Sequence, residues 1–107
     1  MYRTVYVCSP YRAESKEELK KNIEYAKKLT RKVLLNGDSP ITPHLYMTNC
    51  LDDEIPGERK LGLEAGKRLI EKCDFVLVGT KYGKSKGMLE EIKFAEKRGI
   101  NVTEIYG

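Results

Sequence analysis

The sequence predicts a three-layer α/β fold: a small doubly wound parallel sheet of about four strands, in the order 2-1-3-4, with helices on both faces. Three observations carry this. Short runs of apolar and β-branched residues at positions 2–8, 38–42, 75–78 and 100–106 read as strands. Between them lie longer stretches whose apolar residues recur at helical spacing. Strands therefore alternate with helices, and that alternation builds parallel sheets through right-handed crossovers. The wrap is flavodoxin-like or Rossmann-like, in one domain spanning residues 1–107.

In residues 2–8, Val5 and Val7 share one face, and Thr4, Tyr6 and Cys8 the other, so the strand is buried on both sides. Ser9-Pro10 ends it, because proline donates nothing to a ladder. Ser15 is placed to cap a helix with Glu17 and Glu18 in its first turn. Leu19, Ile23, Ala26 and Val33 trace its apolar face, and Asn36-Gly37 stops it after about Leu35. Pro40 and Pro43 confine the second strand to a sheet edge. Residues 47–57 are irregular or briefly helical.

A second long helix covers about residues 58–72, with Gly62, Ala65, Gly66, Leu69, Ile70 and Cys73 on its buried stripe. Two glycines there cost roughly 1 kcal/mol each against alanine, so the pattern implies close approach to the sheet or to a ligand. The third helix ends near Gly99 and carries Met88, Leu89, Ile92 and Ala95 as its apolar stripe. Glu91 falls on the flank of that stripe, and Glu90 points away beside Lys93 and Lys97.

The chain has 20 Lys and Arg against 16 Asp and Glu, a net charge of +4. The basic residues sit on helical faces (Lys20, Lys21, Lys27, Lys28, Arg31 and Lys32) without interleaved aromatics, the pattern of a solvated face and not of a nucleic-acid groove. Cys8, Cys50 and Cys73 form no C-x-x-C pair and no zinc spacing. Their odd count, with no leader-like segment, implies a reducing cytoplasm. No apolar run approaches membrane-spanning length. Asp52-Asp53-Glu54 are consecutive and lack calcium-loop offsets, so no metal site is expected. The absence of tryptophan and of an aromatic pair argues against an FMN carrier.

The chemistry is expected around residues 79–92. A buried strand, a glycine-rich turn and a helix start, in that order, make an anion site from backbone amides and the helix dipole. In such sheets ligands collect beyond the carboxyl ends of the strands, where strand order reverses. Ser9, Pro10, Tyr11, Arg12, His44, Lys81, Tyr82 and Ser85 all follow strands and converge there, joined by the amides of Lys86 and Gly87. Asp74 precedes a strand and lies at the opposite end, which makes it a strand-start residue. Glu91 is either an acid placed by the helix dipole or a functional carboxylate beside the anion site. His44, the only histidine, is open to a structural or a functional role.

Tyr6-Val7-Cys8-Ser9-Pro10-Tyr11-Arg12, Pro43-His44, Cys73-Asp74 before an apolar strand, and Ser85-x-Gly87-x-x-x-Glu91 before Gly99-Ile100-Asn101-Val102 form a set. With it the chain resembles the nucleoside 2-deoxyribosyltransferase superfamily, which includes the 2′-deoxynucleoside 5′-phosphate N-hydrolases. The serine, glycine and glutamate offsets are its most specific part. The resemblance implies that Glu91 is the nucleophile and that Tyr6 contacts it. It implies that Ser85 holds a 5′-phosphate, with Arg12 and His44 near phosphate and ligand. Two positions depart from the family pattern: Gly66 stands where an aspartate assists sugar or base, and Pro10 where a serine follows the first strand. The implied function is N-glycosidic bond cleavage or transfer on a (deoxy)nucleoside or its 5′-monophosphate, with no metal or organic cofactor. The alternative is a non-catalytic nucleotide-binding sensor on the same fold. A cleft this shallow, beside apolar residues in 47–59 with little to cover them, implies a homodimer or larger assembly.

Overall fold

The frame is set by four short strands that pair only in parallel. The computed structural model describes residues 2–107. In chain order it contains β1 (Thr4–Cys8), α1 (Lys16–Leu35), β2 (Ser39–Ile41), two single 3₁₀ turns (Pro43–Leu45 and Met47–Asn49), α2 (Pro56–Ile70), β3 (Phe75–Gly79), α3 (Lys86–Lys97) and β4 (Asn101–Ile105). The strand order is β2-β1-β3-β4, as expected. Val5 lies opposite Pro40 on one side and Phe75 on the other, and Val76 opposite Val102. Pro40 is tolerated because β2 is an edge strand.

The two faces of β1 feed two cores. Val5 and Val7 pack with Tyr25, Leu29 and Val33 of α1 and with Leu77 of β3. Tyr6 and Cys8 pack with Ile70, Cys73, Val76 and Val78, and with Met88, Ile92 and Ala95 of α3. One helix therefore covers one face, and α2 with α3 the other.

Element boundaries differ from the expectation where side chains intercept the backbone. β1 begins at Thr4 because the Arg3 and Thr4 amides donate to the carboxylates of Asp38 and Asp74, at 3.0 and 2.7 Å. Asp74 thus secures the start of β1, at the strand end away from the cavity described below. α2 starts at Pro56, whose missing N–H costs nothing in a first helical turn.

Two helical faces are corrected. In α1 the buried residues are Asn22, Tyr25, Ala26, Leu29 and Val33, while Leu19 and Ile23 are only half-buried. The polar members earn their interior places through bonds: Asn22 Nδ2 donates to the Tyr11 carbonyl at 3.2 Å, and Tyr25 Oη accepts the Lys81 N–H at 3.1 Å. In α3 the stripe is Met88, Glu91, Ile92 and Ala95. Leu89 is 51% exposed, and Glu91 takes the interior position, 7% exposed, at i+3 from Met88.

Close packing of α1 on the sheet depends on Gly79. A Cβ there would stand 2.5 Å from Leu29 Cδ1 and 2.6 Å from Tyr25 Oη. Gly79→Ala is therefore expected to destabilise the protein by roughly 1–3 kcal/mol in urea unfolding. Gly57→Ala meets nothing within 4 Å and is the matched control, expected to be neutral or to stabilise by up to about 1 kcal/mol.

Candidate functional site

Beyond the carboxyl ends of β1 and β3 lies a cavity of about 520 Å³. Its floor includes Tyr6 and Glu91. Met47, Leu51, Gly62 and Leu63 supply an apolar wall from the second 3₁₀ turn, the loop after it and α2. Tyr11, Arg12 and His44 come from the loops after β1 and β2, and Ser85, Lys86 and Gly87 from the start of α3.

At the floor, Glu91 is held by two donors from one face of β1. The Tyr6 hydroxyl donates a short hydrogen bond to Oε2. The Cys8 thiol donates to Oε1 at 3.5 Å. Burial pushes the Glu91 carboxyl above its ordinary value near 4.5, and the Tyr6 and Cys8 hydrogen bonds and the Lys67 ammonium oppose that rise. Burial also pushes Tyr6 and Cys8 well above their usual ranges, and the neighbouring carboxylate adds to both shifts, so both remain donors at neutral pH.

Gly66 makes this arrangement possible. A Cβ on it would lie 2.8 Å from Tyr6 Oη and 3.0 Å from Glu91 Oε2. The close approach expected of the α2 glycines is thus to this pair at Gly66. At Gly62 the neighbour is only Leu51, at ordinary contact distance. A side chain at position 66 and the Tyr6–Glu91 pair compete for one volume.

The upper wall is polar. The Tyr11 and His44 rings stack at 5.2 Å with a 27° interplanar angle. Burial lowers the pKa of His44, opposed by its bond to the Ser9 backbone and by the Asp53 charge. Arg12 Nε stands 3.2 Å from Asp53 Oδ2, in an ion pair at the cavity edge. Ser85 caps α3: its Oγ accepts the Met88 N–H at 3.3 Å, and its own N–H points to Met88 Sδ at 3.4 Å. The Lys86 and Gly87 amides lie in the first turn, where no intrahelical acceptor exists.

Of the residues expected to converge, Tyr6, Tyr11, Arg12, His44, Ser85, Lys86, Gly87 and Glu91 line this cavity. Ser9 and Pro10 do not line it; both are buried, and Ser9 Oγ has no hydrogen-bond partner. Lys81 and Tyr82 lie elsewhere. Tyr82 meets Tyr25 of α1 edge-on at 5.3 Å, with the Lys21 and Lys81 ammoniums over its ring. The Thr80–Gly83 turn, closed by a 3.0 Å bond with Gly83 at φ +80°, carries them toward the α1 face.

Besides the apolar wall, Cys8, Asn22 and Asp53 are among the contributors that the sequence did not single out. Cys8 carried a signal, since strand alternation puts it on the Tyr6 face. Asn22, spaced with Tyr25, Ala26, Leu29 and Val33, carried a weaker one. Asp53 sits in an acidic run that reads as solvated, and no spacing announces its partner. Among the described residues, no group of three or more His, Cys, Asp or Glu side chains is placed to hold a metal ion, and no helix is long and apolar enough to cross a membrane.

A raised carboxyl pKa fixes the sign of a stability effect. The folded state holds the Glu91 proton to higher pH than the unfolded chain does. The native state therefore loses stability as pH rises from about 4.5 through the raised value. Glu91→Gln removes that loss while keeping an acceptor for Tyr6. It is expected to raise stability at neutral pH by roughly 0.5–2 kcal/mol, with the gain closing toward pH 4.5, as read by thermal unfolding across pH.

A family model described as a domain of unknown function (DUF7768) matches residues 3–105. No curated protein matches the sequence. Among solved structures, one titled for the 2-deoxyribosyltransferase of the psychrotolerant bacterium Bacillus psychrosaccharolyticus superposes with a TM-score of 0.74. It is 15% identical, and the match covers 96% of this chain and 72% of that one. At that identity the likeness is one of fold.

Proposed function

The chain belongs to this family of unknown function, and from its site we propose that it cleaves or transfers the N-glycosidic bond of a (deoxy)nucleoside or its 5′-monophosphate, with Glu91 as nucleophile. The observation that carries the reading is one carboxylate, 7% exposed, lining a cavity of about 520 Å³ beneath two fixed donors. A buried acid without substrate to meet is costly, and such groups concentrate where charge is used. The fold likeness to a 2-deoxyribosyltransferase supports the reading at the level of the scaffold.

In the first step a Glu91 oxygen bonds to the anomeric carbon as the carbon–nitrogen bond breaks. The electron pair of that bond leaves with the base, which takes a proton from solvent. Positive charge develops on the sugar in the transition state, and the buried carboxylate stabilises it more strongly than it would in water. Water, or a second base, then attacks the same carbon and gives up a proton to solvent, and the ester bond to Glu91 breaks to restore the carboxylate. Tyr6 and Cys8 hold the carboxylate in place and favour its charged form. The apolar wall of Met47, Leu51 and Leu63 and the Tyr11–His44 stack offer flat, water-poor surfaces for a base.

A binding module without turnover is the second reading. Gly66 favours it, because in the superfamily this chain resembles an acid assists sugar or base at that place. Incubation with deoxynucleosides and their monophosphates, with free base followed by chromatography, separates the two. The enzyme reading expects base release that Glu91→Gln lowers by about 10³-fold or more. Tight binding with no release, unaffected by Glu91→Gln, overturns it. Activity needs ionised Glu91, so the rate falls as pH drops through a value above the ordinary glutamate range. Tyr6→Phe removes a donor that favours the ion. It should move that acid limb upward and lower the rate by up to about 100-fold.

A further inference from the structure

The sugar's 5′ end is the part of the ligand that the reading above leaves open. Resting on that reading, we propose that the cavity is built for the uncharged 5′-hydroxyl of a nucleoside, and that Asp53 sets its preference over the 5′-monophosphate.

The charged side chains lining the cavity are Arg12, Arg59 and Lys86 against Asp53, Glu58 and Glu91, which balance one for one. His44 adds no charge at neutral pH, since burial lowers its pKa. Arg12, the cation nearest the end of β1, is already matched by Asp53 at 3.2 Å. Glu58 stays in place by accepting the Asp52 N–H at 2.9 Å. The Ser85 hydroxyl oxygen is engaged by the helix it caps.

Among the described residues Lys86 and Arg59 make no ion pair but are offset across the lining by Glu58 and Glu91, so the net attraction left for an anion is the α3 N-terminus, equivalent to about half a positive charge. A 5′-phosphate carries about −1.5 to −2 at pH 7. The shell therefore falls short by a full charge or more, and the carboxylates of Asp53 and Glu91 repel what the amides attract. A 5′-hydroxyl has no such conflict: it accepts from an amide and donates to a carboxylate.

Asp53 is the term that tips the balance. Its removal leaves Arg12 unpaired and the lining with one surplus cation. Because Asp53 is partly exposed and the pair lies at the surface, the substitution should leave the fold intact.

The test compares 2′-deoxyadenosine with its 5′-monophosphate on the intact chain. Affinity is read by calorimetry, and kcat/KM wherever base is released. The wild-type protein is expected to favour the nucleoside. Asp53→Asn and Asp53→Ala should each shift the ratio about tenfold toward the monophosphate, through charge-assisted bonds from the freed Arg12. The shift should shrink in high salt. Glu54→Gln removes the same charge one residue away, at a side chain outside this cavity, and should leave the ratio unchanged. A wild-type preference for the monophosphate, or a ratio that both Asp53 variants leave within twofold, overturns the proposal. So does an equal shift from Glu54→Gln, which would make the effect one of general field. The expected ratios without base release would sink the proposed reaction and leave this inference standing. Failure of both ligands to bind would sink the two together.

Discussion

The structure turns on the contact between the Tyr6 hydroxyl, the Glu91 carboxylate and the bare backbone of Gly66. A carboxylate taken out of water needs partners, or it takes up a proton and ceases to be an anion. Here β1 supplies a phenol and a thiol, α3 supplies the acid, and α2 approaches closely because it carries no side chain at that point. Three elements far apart in sequence meet on one group. Their relative positions are constrained more tightly there than in the aliphatic core, where volume-conserving exchanges are tolerated.

This contact accounts for the location of the cavity. A parallel sheet leaves a crevice where strand order reverses, and the loops after β1 and β3 border it. What distinguishes this crevice is an acid turned inward at its base. The first turn of α3 serves two ends. Its cap residue Ser85 is tied to Met88, and one helical turn further on Glu91 occupies a position that an aliphatic residue would fill in an ordinary amphipathic helix.

The upper wall obeys different physics. Its members stand on loops and at the start of α3, are partly or largely exposed, and meet through a ring stack and an ion pair. Arg12 and Asp53 neutralise one another across a gap between loops, and the Tyr11–His44 stack gives the cavity a flat polar flank. Buried donors fix the Glu91 carboxylate below, while a solvent-exposed ion pair borders the cavity above. A scaffold of this kind can change substrate through its loops without disturbing the floor.

The strand order, the edge position of β2, the capped start of α1 and the end of the sheet where the cavity lies were all legible in the chain. These features follow from local rules: period-2 and period-3.6 patterning, proline's missing donor, and the handedness of crossovers. Tyr6 and Cys8 could be placed on one face of β1 by alternation alone. The interior place of Glu91 could not, because helix geometry leaves it at the margin of the stripe until α2 decides which side is covered. Nor could the departure of Lys81 and Tyr82 toward α1, which depends on the bend at Gly83. The pairing of Arg12 with Asp53 joins two loops that no periodicity relates. Sequence by itself determined the elements and the end of the sheet at which they gather. Tertiary packing alone decided which charges face one another, because that choice belongs to contacts between segments and not to the pattern within any one of them.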